Sequence, residues 1–191
     1  MSNEELKIAA KSGDAATVKT LAATIDVDDK RLYHALNLAA RHGREQVVRV
    51  LIERGVNLNF RGKYGWTALM RSCETSHDEV VRLFLDRGAR VNFEDKYGST
   101  ALNIAAAEGH TSIIKLLLEK GAKINYRNKY GWTALMRAVE NCHVEAVRLL
   151  LGVGANQAAK DKLGRTALVI ARNKGNAEIL SLLGDVKALA K

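Results

Sequence analysis

The stretch Lys63-Tyr64-Gly65-Trp66-Thr67-Ala68-Leu69-Met70-Arg71 occurs a second time, letter for letter, at residues 129–137. Two weaker copies, at residues 96–102 and 162–168, keep the glycine and the Thr-Ala-Leu triplet. A constant spacing of 33 residues separates the glycines of the four copies, which are Gly65, Gly98, Gly131 and Gly164. A fixed period of this length indicates a chain built from stacked structural repeats, each of which buries its apolar face against the next.

Local signals predict the structure of one repeat. Thr67 is expected to cap a first helix through its hydroxyl, and Leu69 and Cys73 share one face of that helix. The segment at residues 76–78 interrupts the pattern and predicts a join to a second helix, which Gly88 is expected to end. The second helix should bury Val80, Val81, Phe84 and Leu85. Each full repeat is therefore predicted to be a polar, Gly-containing hairpin followed by two short helices.

The chain is predicted to form a single elongated domain, since no linker or low-complexity stretch separates the repeats. The N-terminal repeat matches the helical part of the later repeats but lacks their hairpin. A capping repeat has this form because one of its faces meets water. The predicted units are an N-terminal capping repeat at 1–27, full repeats at 28–60, 61–93, 94–126 and 127–159, and a C-terminal capping repeat at 160–191.

Composition limits the classes of function. Hydrophobic residues make up 47% of the chain but aromatic residues only 5%, which suggests a core of small aliphatic side chains. Cys73 and Cys142 form no C-x-x-C pair, so neither a disulfide framework nor a zinc site is predicted, and no cofactor is expected. A polar N-terminus and the lack of a long apolar run predict a soluble intracellular protein, either cytoplasmic or nuclear.

The charge balance is basic. Thirty Lys and Arg against 21 Asp and Glu give a formal net charge of +9, which favours acidic partners such as acidic peptide segments or a nucleic-acid backbone. The basic residues form no uninterrupted run, so their meaning depends on which face of the fold collects them.

The pattern is similar to that of the ankyrin repeat family. The best match is Gly98-Ser99-Thr100-Ala101-Leu102-Asn103-Ile104-Ala105-Ala106, followed by a Gly-His pair at 109–110 and a Gly-Ala pair at 121–122. The resemblance covers essentially the whole chain and implies an all-α repeat solenoid with a hairpin and two antiparallel helices in each unit. Alanine replaces the family's proline throughout, and Met70, Asn103 and Met136 stand where the family often has histidine.

The resemblance also implies a surface for partner proteins, formed by the hairpin tips and first helices on the concave side of the stack. Tyr and Trp interleaved with cations are the residue types that dominate interface hot spots. The candidate partner-binding residues are Lys63, Tyr64, Trp66, Met70, Arg71, Glu74, Lys96, Tyr97, Asn103, Lys129, Tyr130, Trp132, Met136, Arg137 and Arg165. They predict a non-catalytic adaptor, scaffold or inhibitor that binds an acidic and apolar protein segment.

Other functions fit parts of the same surface. The ankyrin domain of the oligoadenylate-sensing latent ribonuclease suggests nucleotide or nucleic-acid binding through Trp66 and Lys96, and the ankyrin domains of histone-lysine methyltransferases suggest a methyl-lysine cage at Trp66 and Glu74. A self-associating structural module is a third class. No catalytic constellation is evident, so the chain is not predicted to be an enzyme, and His77, His110 and His143 are too far apart for one metal ion.

Overall fold

The structure is a computed structural model that describes residues 3–184, which form twelve α-helices and no β-strand. The helices occur in pairs of a first and a second helix. The pairs are α1 (Asn3–Ser12) and α2 (Ala15–Ala23), α3 (Lys30–Arg41) and α4 (Glu45–Glu53), α5 (Ala68–Glu74) and α6 (Asp78–Asp86), α7 (Ala101–Ala107) and α8 (Thr111–Glu119), α9 (Ala134–Glu140) and α10 (Val144–Gly152), and α11 (Ala167–Lys174) and α12 (Ala177–Leu182). The end of the predicted C-terminal capping repeat, residues 185–191, lies outside the described residues, as do residues 1 and 2.

The chain divides into two compact units, Met1–Phe93 and Glu94–Lys191. In the first unit, the first helices α1, α3 and α5 pack in succession, and the second helices α2, α4 and α6 do the same. In the second unit, α7, α9 and α11 form one such row and α8, α10 and α12 the other. The boundaries of the individual repeats, and the prediction of one domain, remain predictions.

Threonine side chains cap the N-termini of the short first helices α5, α9 and α11, as predicted for Thr67. The Thr67 hydroxyl accepts a hydrogen bond from the Met70 N–H at 3.3 Å, and Thr133 and Thr166 do the same for the N–H groups three residues ahead. The break at residues 76–78 is also confirmed, because α5 ends at Glu74 and α6 begins at Asp78. Gly88 follows α6 with a φ of +84°, a conformation that glycine adopts without steric cost.

Packing between helices supplies the stability of these elements. α5, α7 and α9 have seven residues each, too few for an isolated helix to be stable in water. The predicted core positions Leu69, Cys73, Val80, Val81 and Phe84 are all at most 2% exposed. Fully burying one such aliphatic or aromatic side chain stabilises the fold by about 1.5–3 kcal/mol. The helices therefore depend on the rows that they form.

The predicted repeat at 28–60 begins differently from the sequence-based expectation. It has no hairpin, because α3 starts at Lys30 and runs for twelve residues, with the Asp29 carboxylate accepting a hydrogen bond from the Arg31 N–H. This segment has no glycine to turn the chain, whereas the buried Leu32, Tyr33 and Leu36 continue a helical spacing. An extra stretch of helix thus occupies the place of the hairpin and buries Tyr33.

A glycine and a histidine interlock between successive helix pairs. The His77 Nε2 lies 3.0 Å from the Arg41 carbonyl oxygen, and the His143 Nε2 lies 2.8 Å from that of Ala107. A Cβ added to Gly43 would lie only 2.5 Å from the His77 ring, and one added to Gly109 would lie 2.5 Å from the His143 ring. These contacts confirm that His77 and His143 hydrogen-bond the turn between helices.

Candidate functional site

In the second unit, three hairpin tips are built around a buried acidic or amide side chain. The Asp95 Oδ1 accepts hydrogen bonds from the N–H groups of Tyr97 and Ser99, both at 2.8 Å. In the same way, the Asn128 Oδ1 accepts hydrogen bonds from the N–H groups of Tyr130 and Trp132. The Asp161 Oδ1 accepts hydrogen bonds from the N–H groups of Leu163 and Arg165. Because each oxygen satisfies two backbone donors, it fixes the conformation of the tip that carries the surface side chains.

Neighbouring tips of the second unit are joined directly to one another. The Lys129 N–H donates to the Tyr97 carbonyl at 3.0 Å, and the Lys162 N–H donates to the Tyr130 carbonyl at 2.9 Å. These bonds set Tyr97, Tyr130 and Leu163 in one row, with 44%, 51% and 77% of their surfaces exposed. The Tyr97 and Tyr130 ring centroids are 6.3 Å apart, so the two rings touch at a tilt and still face solvent.

Cations accompany the apolar row of the second unit. Lys96, Lys129 and Lys162 each precede one of its members and are exposed. The Lys96 ammonium lies 4.7 Å from the Tyr97 ring centroid, within the range of a cation–π interaction. The surface therefore alternates apolar rings with positive charge, a combination suited to a partner that offers apolar side chains beside carboxylates.

Trp132 is half-buried beneath two guanidinium groups. Arg137 lies 4.9 Å and Arg165 lies 5.4 Å from the ring. Arg165 is anchored by the Asp161 carboxylate at 2.7 Å. Burial raises the pKa of Asp161, but hydrogen bonds from the Arg165 backbone and guanidinium and from the Leu163 N–H outweigh it, so the pKa falls below its ordinary value. The charged carboxylate thus holds a cation against Trp132.

The first unit carries one hairpin tip of this kind, and it is supported differently. Gly62 stands where the later tips have Asp or Asn, and its N–H donates to the Trp66 carbonyl at 3.1 Å. The Tyr33 hydroxyl donates to the same carbonyl at 2.8 Å. Burial raises the pKa of Tyr33, although hydrogen bonds and the charge of Arg71 oppose the shift. The phenol therefore remains a neutral donor.

The side chains on this tip repeat the arrangement of aromatic rings and cations. Tyr64 is 46% exposed, with the Lys63 ammonium 5.6 Å from its ring centroid. The Arg71 guanidinium lies 4.3 Å above the half-buried Trp66 ring and is paired with Glu74 at 3.1 Å. We call Lys63, Tyr64, Trp66 and Arg71 the first hairpin patch. The second hairpin patch comprises Lys96, Tyr97, Lys129, Tyr130, Trp132, Arg137, Lys162, Leu163 and Arg165.

Three of the sequence-predicted site residues do not lie at the surface. Met70, Asn103 and Met136 are at most 2% exposed, so the expectation that they face a partner is wrong. The physical reason is crowding, since α9 packs against α7, α10 and α11 and leaves only Arg137 and Glu140 partly exposed. Asn103 instead accepts hydrogen bonds from the Thr100 N–H and hydroxyl, both at 3.0 Å, at the start of α7.

The residues that position the tips were missed by sequence reasoning. Tyr33 carries no motif, but Asp95, Asn128 and Asp161 recur with the 33-residue period immediately before the last three of the four Lys-Tyr or Lys-Leu pairs. That recurrence was a readable signal. A short acidic or amide side chain ahead of a glycine turn commonly accepts bonds from the N–H groups that follow it.

The arginines over the tryptophans also bear on two alternative sites. A methyl-lysine cage needs open aromatic faces, and a cation already lies over Trp66 and over Trp132. A nucleobase stacking on either ring would have to displace a guanidinium or stack on it instead. The geometry is thus less suited to these ligands than the sequence suggested.

The two cysteines and the possible metal ligands form no reactive or metal-binding site in the described part of the chain. Cys73 is fully buried, which raises the pKa of its thiol, whereas Cys142 is exposed; both are free. Within residues 3–184, no three His, Cys, Asp or Glu side chains are placed to hold one metal ion. None of the helices described is both long and apolar enough to cross a membrane.

Comparison with known proteins identifies the fold family. The family model described as ankyrin repeats (3 copies) matches residues 6–95 and again residues 83–161. The chain belongs to the ankyrin repeat family. The match confirms the predicted all-α ankyrin architecture of paired helices. No curated protein matches the chain significantly.

Membership in the ankyrin family carries a general functional statement. Ankyrin repeats are generally protein–protein interaction modules and are typically non-catalytic. The family does not specify a partner, because an ankyrin scaffold carries different contact residues in different proteins.

Proposed function

We propose that this ankyrin protein is a non-catalytic adaptor, scaffold or inhibitor that binds a protein through its hairpin patches, the partner offering an acidic and apolar segment. One observation carries the proposal. Among residues 3–184, seven large apolar or aromatic side chains are exposed, and four of them occupy the same hairpin position, namely Tyr64, Tyr97, Tyr130 and Leu163. Exposed aromatic and apolar side chains that recur at the same hairpin position mark an interaction surface on each unit.

The adjoining charges define the chemistry of the partner. A lysine precedes each member of this set, and arginines cover the tryptophans beside two of them. Carboxylates on the partner would be attracted to these cations, while its apolar side chains would pack on the tyrosine rings. Hydrogen bonds within and between the tips of the second unit hold the contact atoms in place, so little ordering would accompany binding there. Two free thiols are consistent with an intracellular site of action.

The test compares proteins captured by the full chain and by two variants. Tyr97→Ala with Tyr130→Ala removes the two aromatic members of the second hairpin patch. Ile8→Ala with Val153→Ala is the matched control, because it removes two exposed apolar side chains outside the hairpins. The tyrosines are preferred to the tryptophans, whose half-buried rings also pack against the fold.

The expected result is a protein captured by the wild type and the control but lost by the tyrosine variant. With that partner purified, the tyrosine variant should weaken binding by about 30-fold or more, corresponding to the loss of about 2 kcal/mol at a hot spot. Higher salt should weaken wild-type binding because the lysine contacts are exposed. Equal capture by all three proteins would contradict the proposal.

Two other classes of function can be distinguished with the same wild-type and variant proteins. Nucleic-acid binding is favoured by the charge of residues 94–191, which contain 15 Lys and Arg against nine Asp and Glu. It predicts capture that disappears after nuclease treatment and a steep dependence on salt. Self-association predicts a defined oligomer in light scattering that the tyrosine variant dissociates.

A further inference from the structure

A second polar site lies on the first helices of the first unit. A cavity of about 400 Å³ is bordered by α1, α3 and α5. The residues lining it are Asn3, Lys7, His34, Asn37, Leu38, Arg41 and Arg71. The α3 members recur at helical spacings of three and four, so they form one stripe along the helix that the neighbouring helices flank.

The lining is cationic, and no carboxylate contributes to it. Lys7, Arg41 and Arg71 supply three positive charges, and His34 adds an imidazole ring. Arg41 makes no ion pair within the described chain, and its side chain is exposed. The site therefore offers donors whose charge the protein itself does not fully compensate.

Two of the cations are held in place from outside the cavity. Glu4 binds the Lys7 ammonium at 2.6 Å, and Glu74 binds the Arg71 Nη1 at 3.1 Å. An ammonium has three N–H donors and a guanidinium has five, so each group keeps donors for a ligand. Arg71 is further restrained by its contact with Trp66, at 4.3 Å from the ring. The arrangement is thus partly preorganised.

The electrostatic surroundings of Arg41 are also positive. Burial lowers the pKa of the adjacent His42, and the charges of Lys11, Arg41 and Arg44 lower it further. These cations lie around the ends of the first helices of the unit. Lys11 and Arg44 do not line the cavity, but they would attract an anion towards it when the ionic strength is low.

We propose that the cavity lined by Lys7, His34, Arg41 and Arg71 binds the dianion of a phosphate monoester. Three cations from three helices match a compact group that carries two negative charges and three acceptor oxygens. A carboxylate offers only one charge and two oxygens, and it would leave donors without partners. The phosphate is carried either by a phosphorylated side chain of a protein or by a free small molecule. The site shares only Arg71 with the first hairpin patch and does not depend on the proposed function.

The test is a nuclear magnetic resonance titration of the full-length, isotope-labelled protein with inorganic phosphate at pH 7.5 and constant ionic strength. The Arg41 and Arg71 Nε–Hε signals and the His34 ring signals report the cavity. Arg41→Ala should weaken phosphate binding by about five- to tenfold, an exposed charge-assisted contact being worth less than a buried one. Arg82→Ala on α6 removes the same charge from an exposed position outside the cavity, and it should change the affinity by less than about twofold.

Further probes define the ligand class. Acetate and dimethyl phosphate, which each carry one negative charge, should bind more weakly than inorganic phosphate, and equal binding would overturn the assignment to a dianion. Equal affinities for the wild type, Arg41→Ala and Arg82→Ala would overturn the site itself, because diffuse charge would then explain the binding. A capped Gly-Gly-phosphoserine-Gly-Gly peptide that binds more tightly than inorganic phosphate would identify a protein as the source. No gain with the peptide would identify a free phosphorylated molecule, and either result retains the site.

This experiment uses no protein partner, so it is independent of the capture experiment. Loss of phosphate binding in Arg41→Ala with partner capture intact would separate the two sites. A normal amide spectrum of Arg41→Ala outside the cavity would show that the variant remains folded, as expected for an exposed side chain.

Discussion

The identical stretches at residues 63–71 and 129–137 have the same helix cap but different supports. Both begin a seven-residue helix at a threonine, and both place an arginine over a tryptophan. In the first copy, the Tyr33 hydroxyl on α3 donates a hydrogen bond to the Trp66 carbonyl. In the second, Asn128 holds two N–H groups from within the hairpin. Local sequence therefore determines the cap, whereas the preceding residue determines how the tip is fixed.

The largest effect is expected from removing the support of the second copy. Asn128→Ala leaves the Tyr130 and Trp132 N–H groups without their acceptor and should lower the free energy of unfolding by about 2 kcal/mol. Urea denaturation followed by circular dichroism measures this change. Amide hydrogen exchange at residues 130 and 132 should quicken.

Asn128→Asp is the matched control, because Asp95 and Asp161 bind the equivalent N–H groups in the neighbouring tips. It should remain within about 1 kcal/mol of the wild type at neutral pH. If Asn128→Ala were as stable as Asn128→Asp, the amide would not be the support of this tip.

A smaller effect is expected when the support of the second copy is transplanted into the first. A Cβ at Gly62 would lie 2.8 Å from the Tyr33 hydroxyl oxygen, so Gly62→Asn should destabilise the protein by about 1–2 kcal/mol through overpacking. Adding Tyr33→Phe removes that oxygen and should recover most of the loss. The same denaturation measurements on the two single variants and the double variant give the coupling energy.

Recovery of stability in the double variant would show that the Tyr33 hydroxyl and a side chain at position 62 exclude each other. Additive effects of Gly62→Asn and Tyr33→Phe would contradict this account, since they would mean that the two side chains do not compete for the same space.

The smallest effect concerns the pH dependence of the tip supports. The pKa of Asp161 is lowered in the folded state, so its contribution to stability is present above its unfolded value near 3.8 and is lost as the pH falls through the folded value. Asp161→Asn makes this tip resemble the second copy and should cost less than about 1 kcal/mol at neutral pH, because Arg165 is partly exposed. Its stability should fall less steeply than that of the wild type between pH 4 and pH 2 in thermal denaturation.

Parallel pH profiles for the wild type and Asp161→Asn would show that the carboxylate does not contribute this acid sensitivity. Other carboxylates titrate in both proteins, so only the difference between the profiles bears on Asp161.

Much of the fold was predictable because its signals are local and periodic. The 33-residue spacing predicts the paired helices, Thr67 predicts a cap, and the apolar positions of α6 predict its buried face. Each of these depends on neighbouring residues or on a repeated pattern. The helix in place of a hairpin at Lys30–Arg41 was missed, although the lack of glycine there was visible.

The site was less predictable because exposure depends on packing between repeats. Met70 and Met136 were among the candidate partner-binding residues, yet neighbouring helices cover them. Trp132 was expected to be an open anchor, but Arg137 and Arg165 lie over it from different segments. The crowding around a short helix and the contact of Arg165 with Trp132 both involve a neighbouring repeat, whereas Arg137 lies over Trp132 within one repeat.

The interlocking glycine and histidine restrict which repeats can be neighbours. A turn that contains glycine leaves room for the histidine of the following repeat, as at Gly43 and Gly109. The turn after α9 has Cys142 at the equivalent place, and the next repeat has Asn176, whose side chain caps its own helix α12. A larger side chain at Gly43 or Gly109 would therefore displace the histidine that follows. A shuffled or shortened array that separated either glycine from its histidine would lose this fit.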